Sequence, residues 1–298
     1  MKKRYYLLLP LAFVIFTNCQ NPDKKTGDKR FEVTTDETAT SPSAEKSTVP
    51  DLVFYNLFSP VDVDHVIDAK NGRFNADFLN SVNNATRYTD SYKMALNLGV
   101  YGADLSYLWI YDQTQQAFNY LATIQALTEK LGIPKDFVDF TLLSVEHNSN
   151  EIDTLKSIAR DAYAATDRYL KGSERENAAV LILLGGWIES LHIALNLYQE
   201  TDSKLAGKIL TQKYSLNSLI NMVQNQHDDL KMSEYLLLLK KLNDAFGSFE
   251  SKLSPGDIEI DTINKTIKIK EGTRLEINPQ AFAELKQQVE TLRAHIVD

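Results

Sequence analysis

From Asp51 onward, apolar residues recur at three- and four-residue spacing, and little interrupts them. The 298 residues include only 12 Gly and 8 Pro, too few for the many tight turns of an all-β fold. The clearest run begins near Asp90, where Met94, Leu98, Tyr101, Leu105 and Leu108 share one helical face. Short connections between such helices favour antiparallel neighbours. The reading is therefore mainly α: an antiparallel, bundle-like helical domain over residues 51–298, with no linker-like boundary inside it. A chain of this size buries roughly three quarters of its unfolded surface.

Local signals divide the run. Ser59-Pro60 reads as an N-cap with Pro at the first helical position, opening a short helix to Ala69. A second short helix follows Asn75. The helix from Asp90 bends near Asp112-Gln-Thr-Gln115, a capping-box pattern, and ends at Leu131-Gly132. Pro134 opens another to Glu146. Ser149 caps one that stops at Gly172, Ser173 one to Gln199, and Asp202 one that breaks near Lys213-Tyr214 and ends near Gln226. Ser233 opens a helix to Lys252. The period then changes from 3.6 to 2. Ile258 and Ile260 alternate with acids, Ile267 and Ile269 with lysines, so 257–270 reads as a small C-terminal β-hairpin. Asn278-Pro279 starts a final packed helix with Phe282, Leu285, Val289, Leu292 and Ile296 on its apolar stripe.

The other end of the chain has a different character. Lys2, Lys3 and Arg4 precede an apolar stretch from Tyr5 to Phe16, too short to span a membrane. The only cysteine of the chain, Cys19, follows directly. Residues 1–18 read as a lipoprotein signal peptide, and Cys19 as a lipidation site carrying a diacylglycerol and an acyl chain such as palmitate. Asn18 and Phe16 depart from the commonest form of such a signal, and no Ala-x-Ala cleavage site follows. Residues 19–50, rich in Thr, Ser, Lys, Asp and Glu, read as a disordered tether whose ends average about 30 Å apart. The expected location is the cell envelope, anchored to the inner or outer membrane, with the domain in the periplasm or at the cell surface. Cleavage would remove three cations, leaving 29 Lys and Arg against 40 Asp and Glu, a net charge of −11. Such an acidic chain is a poor nucleic-acid ligand. One cysteine excludes a disulfide framework and a multi-cysteine zinc site.

Four segments, Leu52-Val-Phe-Tyr-Asn-Leu-Phe-Ser-Pro60, Lys93–Tyr107, Gly185-Gly-Trp-Ile-Glu-Ser-Leu191 and Asn278-Pro-Gln-Ala-Phe-Ala-Glu-Leu285, resemble a family of helical, exported lipoproteins of Bacteroidota. The resemblance covers most of the chain after residue 51. It implies an envelope location and a helical fold, and it supplies no catalytic residue.

The chemistry-bearing residues concentrate in two helical segments. Gly99-x-x-Gly102-Ala-Asp104-x-x-Tyr107 echoes Gly185-Gly186-Trp187-x-Glu189-x-x-His192. Residues three apart share a helix face, which pairs Asp104 with Tyr107 and Glu189 with His192. Glycine inside a helix costs about 1 kcal/mol against alanine. Gly99, Gly102, Gly185 and Gly186 therefore imply close packing between two central helices, or room for a ligand. Asp104, Tyr107, Trp187, Glu189 and His192 are the candidate ligand-binding residues. Glu189-x-x-His192 invites a di-iron reading, but that site needs two Glu-x-x-His pairs and two further Glu. Only one such pair exists here, and His192 reads more simply as a core histidine bonded to an acid or a tyrosine. The crowded aromatics Tyr101, Tyr107, Trp109, Tyr111, Phe118 and Tyr120 read mostly as core, with stacking on a sugar as the alternative. No nucleophile elbow, phosphate loop or dinucleotide fingerprint occurs. The expectation is a non-catalytic lipoprotein that binds a small molecule or an envelope protein, or scaffolds. The alternatives are a metal protein or enzyme built on Glu189 and His192, and a purely structural component. No cofactor beyond the lipid on Cys19 is implied.

Overall fold

A computed structural model describes residues 59–135, 152–226, 229–249, 258–261, 266–269 and 278–298, all within one compact unit, Val49–Asp298. The expected signal peptide, tether and lipidation site at Cys19, the helix expected after Pro134 and the expected Ser149 cap lie outside the described residues.

Where a short polar side chain precedes an apolar period, it caps the helix. Asp90 accepts from the amides of Tyr92 and Lys93 and starts α1, Ser91–Ile110. Asp202 accepts from the Leu205 amide at the start of α5, Ser203–Gln224. Asn278 does the same for Gln280, with Pro279 opening α7, Pro279–Val297. Helix α2, Thr114–Lys130, closes with Gly132 at φ 69° and a hydrogen bond from the Ile133 amide to the Thr128 carbonyl. That left-handed glycine satisfies carbonyls the helix end would otherwise leave open.

Several expected boundaries move. The helix expected from Ser59-Pro60 does not form. Residues 63–86 instead make four 3₁₀ turns, Val63–His65, Ala69–Asn71, Ala76–Phe78 and Val82–Thr86. Asp68, Asn75 and Ser81 each bond an amide two residues on, a local option that competes with a continuing helix. No side-chain capping box restarts the chain at α2. Asp112 takes a left-handed conformation at φ 55° and makes the bend by itself. Ser173 caps nothing: its amide still bonds the end of α3, Ile152–Gly172, and Glu174 at φ 58° turns the chain into α4, Glu176–Leu197. Helix α5 runs unbroken through Lys213-Tyr214. Asp229, not Ser233, caps α6, Leu230–Gly247, by accepting from the Lys231 and Met232 amides.

The seven α-helices seen among the described residues surround two of their number. Helices α1 and α4 pack most extensively against each other. Helix α2 lies on α1, α3 and α5 on α4, α6 on α5, and α7 against α4, α6 and α1. The central position explains the composition of α4. It is long and apolar enough to cross a membrane by length and mean hydropathy, yet 89% of its most apolar window is buried in protein. A helix apolar all round is what a core position requires. The fold is thus mainly α. In the span of the expected hairpin, β1 (Ile258–Asp261) and β2 (Thr266–Ile269) pair antiparallel with Ile258 opposite Ile269, while the intervening residues lie outside the described ones.

The four glycines inside α1 and α4 sit where these two helices cross. A Cβ at Gly99 would come 2.0 Å from the Ile182 carbonyl oxygen, and one at Gly185 1.9 Å from that of Leu96. The backbones touch, so no side chain fits between them. Gly102 and Gly186 leave a slot beside this crossing that Pro60 and Tyr163 fill: an added Cβ at Gly102 would meet the Tyr163 hydroxyl and then the Pro60 ring at 2.8 Å, and one at Gly186 the Pro60 ring at 2.7 Å.

Candidate functional site

Asp104 on α1 and Glu189 on α4 are both fully buried and lie together. A buried carboxylate needs a partner, and Glu189 has one. Arg293 of α7 forks onto it, with Nε 2.7 Å from Oε2 and Nη2 2.7 Å from Oε1. The same Nη2 reaches the Phe78 carbonyl at 3.1 Å. One guanidinium neutralises one carboxylate, so a second negative charge here would be unpaired. Burial, and then the charge on Glu189, pushes the Asp104 carboxyl well above its usual range, against the pull of Arg293. Asp104 is therefore the neutral acid of the trio. Its Oδ2 accepts from the Asn80 amide at 3.1 Å. Its Oδ1 is buried with no hydrogen-bond partner among the described residues, which suits the protonated oxygen of a neutral acid beside Glu189.

One turn along α4, His192 places Nδ1 2.8 Å from Glu290 Oε1 and Nε2 3.1 Å from the Phe78 carbonyl. Asn196 completes the arrangement, with Nδ2 3.0 Å from the same Glu290 oxygen. Burial raises the Glu290 carboxyl, but bonds and charge from His192, with Asn196 and Arg293, outweigh it and hold the group below its usual range. The pairing has a pattern. On α4 the order is Glu189 then His192, and on α7 it is Glu290 then Arg293. Glu189 meets Arg293 and His192 meets Glu290. Two i,i+3 pairs matched in reverse order mean that the helices run antiparallel, each acid facing a nitrogen base.

The network continues into the end of α7, whose last carbonyls would otherwise be unsatisfied. Asn97 Nδ2 donates to Ile296 O at 3.0 Å, Tyr88 Oη to Val297 O at 3.1 Å and Arg87 Nη2 to Asp298 O at 3.3 Å. Asn80 joins the two halves, since its side chain donates to Tyr88 and Asn97 while its carbonyl accepts from Tyr120.

The sequence-derived candidates thus separate. Asp104, Glu189 and His192 belong to one buried network. Tyr107 lies at its edge: Oη accepts from the Asn75 amide at 3.0 Å and the ring stacks on Phe74. Trp187 faces elsewhere, donating through Nε1 to Gln212 of α5 at 3.1 Å. Among the aromatics, Tyr101, Tyr107, Trp109 and Tyr120 are buried, while Tyr111 and Phe118 are half-buried. Burial pushes the Tyr111 hydroxyl up to about 12. Arg293, Glu290, Asn80 and the Phe78 carbonyl were not singled out from sequence, although Glu290-x-x-Arg293 mirrors Glu189-x-x-His192 in charge.

A separate group, Asp62, Asp64 and His65, brings its ligand atoms within 4.8 Å of one another. Both acids are already neutralised: Arg160 lies 2.6 Å from Asp62 and Lys156 2.8 Å from Asp64.

Set against protein-family models, curated proteins and solved structures, the chain matches none.

Proposed function

We propose that this chain is a lipid-anchored, non-catalytic lipoprotein of the cell envelope, held through Cys19 and serving as a binding or scaffolding module. The observation that supports the non-catalytic part is the closed bonding of the buried cluster. A general acid or base must be free to reach a substrate proton. Glu189 gives both oxygens to Arg293, His192 gives both ring nitrogens to Glu290 and Phe78, and Asp104 accepts from the Asn80 amide beside Glu189. These residues hold helices together rather than wait for a ligand. The anchor rests on the basic start, the short apolar stretch and the lone cysteine after it. The strands at 258–261 and 266–269, joined through 262–265, would form the small hairpin, whose edge offers a place for a partner strand.

Two experiments test the reading. With an alkyne-bearing fatty acid fed to expressing cells, the protein should be labelled and fractionate with membranes, and Cys19→Ala should abolish both. Label retained in Cys19→Ala, or a wild-type chain released without lipid, overturns the anchor. The metal alternative is tested by mass spectrometry after incubation with iron, zinc and manganese. Stoichiometric metal that is lost in the Glu189→Ala/His192→Ala variant would replace this reading with a metal-dependent one.

A further inference from the structure

Away from the buried cluster, an open groove of about 800 Å³ lies where four chain segments converge. These are the start of α1 (Tyr92), the turn into α4 (Glu174, Glu176, Asn177), the end of α5 (Asn225, Gln226) and the start of α6 (Asp229, Leu230, Lys231). The volume falls in the upper part of the range for small-molecule sites, about 300–1,000 Å³. We propose that this groove binds an oligosaccharide, preferentially one bearing free amino groups.

The lining carries the argument. Seven of the nine side chains end in a carboxylate, an amide or an ammonium group, and Tyr92 adds a hydroxyl. Planar carboxylates and amides offer paired acceptors and donors that match adjacent sugar hydroxyls. Part of this set is held in place. Asp229 accepts from Tyr92 Oη and from Asn177 Nδ2, and its carboxylate stays below the usual range because those bonds outweigh partial burial. The rest is unspent. Glu174, Glu176, Asn225 and Gln226 make no side-chain hydrogen bond or ion pair among the described residues. Among the described lining residues three acids face one lysine, and Lys231 is drawn over the Tyr92 ring, 4.6 Å from its centre. The surplus negative charge repels phosphorylated or sulfated ligands and attracts amino groups. Leu230, 89% exposed at the rim, gives the C–H face of a sugar an apolar contact.

Titration calorimetry of the protein with glucosamine hexasaccharide should give saturable binding that weakens at high salt. The N-acetylated hexasaccharide should bind at least threefold more weakly, and a sulfated one not at all. The Glu174→Gly/Glu176→Gln variant should bind at least tenfold more weakly. Its thermal midpoint should not fall, because glycine suits the φ of 58° at position 174. The proposal is overturned by no saturable binding of either unsulfated sugar, by equal binding of the sulfated one, or by a variant that binds as well as wild type. Tighter binding of a lysine-rich peptide than of the saccharide overturns it in favour of a protein partner. None of these outcomes depends on Cys19, so this inference and the anchor fail separately.

Discussion

At the scale of single residues, the chain solves one electrostatic problem twice. An acid buried beside another acid must be paired or neutral. Arg293 pairs Glu189, and Asp104 is left neutral. The pH dependence follows. Because the folded-state pKa of Asp104 lies above its unfolded value of 3.8, its contribution is fully present below that pH and is lost as the pH rises toward the folded value. Asp104→Asn keeps the shape and a donor for Glu189 but removes the titration. Urea unfolding from pH 4 upward should show the variant gaining on wild type by up to about 1.4 kcal/mol per pH unit until the folded pKa is passed. A variant less stable than wild type at pH 8 would contradict a neutral Asp104. Arg293→Met leaves Glu189 buried without its partner and should cost about 3–5 kcal/mol in the same measurement.

At the scale of elements, the α1–α4 crossing is set by glycine. A methyl group at Gly99 or Gly185 meets a backbone carbonyl of the facing helix, which cannot rotate away as a side chain would. Gly99→Ala and Gly185→Ala should each lose about 3 kcal/mol or more, at the upper end of the cost of overpacking. Gly172, at the end of α3 with no atom of a described residue within 4 Å of an added Cβ, is the control. Gly172→Ala should gain about 0.4–1 kcal/mol by restricting the unfolded chain. Denaturant midpoints for the three variants test the contrast, and similar losses at all three positions would refute a backbone contact. The start signals show how local information performs. Asp90, Asp202 and Asn278 cap the helices expected of them, because each stands directly before an apolar period. Ser173 and Ser233 do not, because Glu174 and Asp229 shift the turn by a few residues and either side chain type suits a cap.

At the scale of the whole molecule, α7 is bound as part of the core although it ends the chain. Ion pairs from α4 hold its middle and side chains from 87–97 hold its final carbonyls. Terminal helices ordinarily fray, and this one should not. Amide hydrogen exchange should protect Val289–Ile296 in the same cooperative unit as α1 and α4. Faster exchange there than in α2 would show that α7 is only loosely docked. This scale also marks where sequence reading stops. Helical class, the apolar stripe of α7 and the close packing of the two glycine-bearing helices were legible, because each rests on local periodicity or on glycine in an unusual place. The partners were not, since Arg293 lies 104 residues from Glu189 and Glu290 lies 98 from His192. A charge pattern alone does not say which helix will face which.

A closed, neutral cluster requires Asp104 to hold a proton at physiological pH. Carbon-13 NMR of aspartate-labelled protein, titrated from pH 3 to pH 9 and assigned with Asp104→Asn, reads that proton. The Asp104 carboxyl resonance should stay in its protonated position through pH 7 while the exposed aspartates titrate near 4. An Asp104 signal that moves with the exposed aspartates would mean an ionised, solvated carboxylate, and with it an open site in place of the sealed junction of α1, α4 and α7.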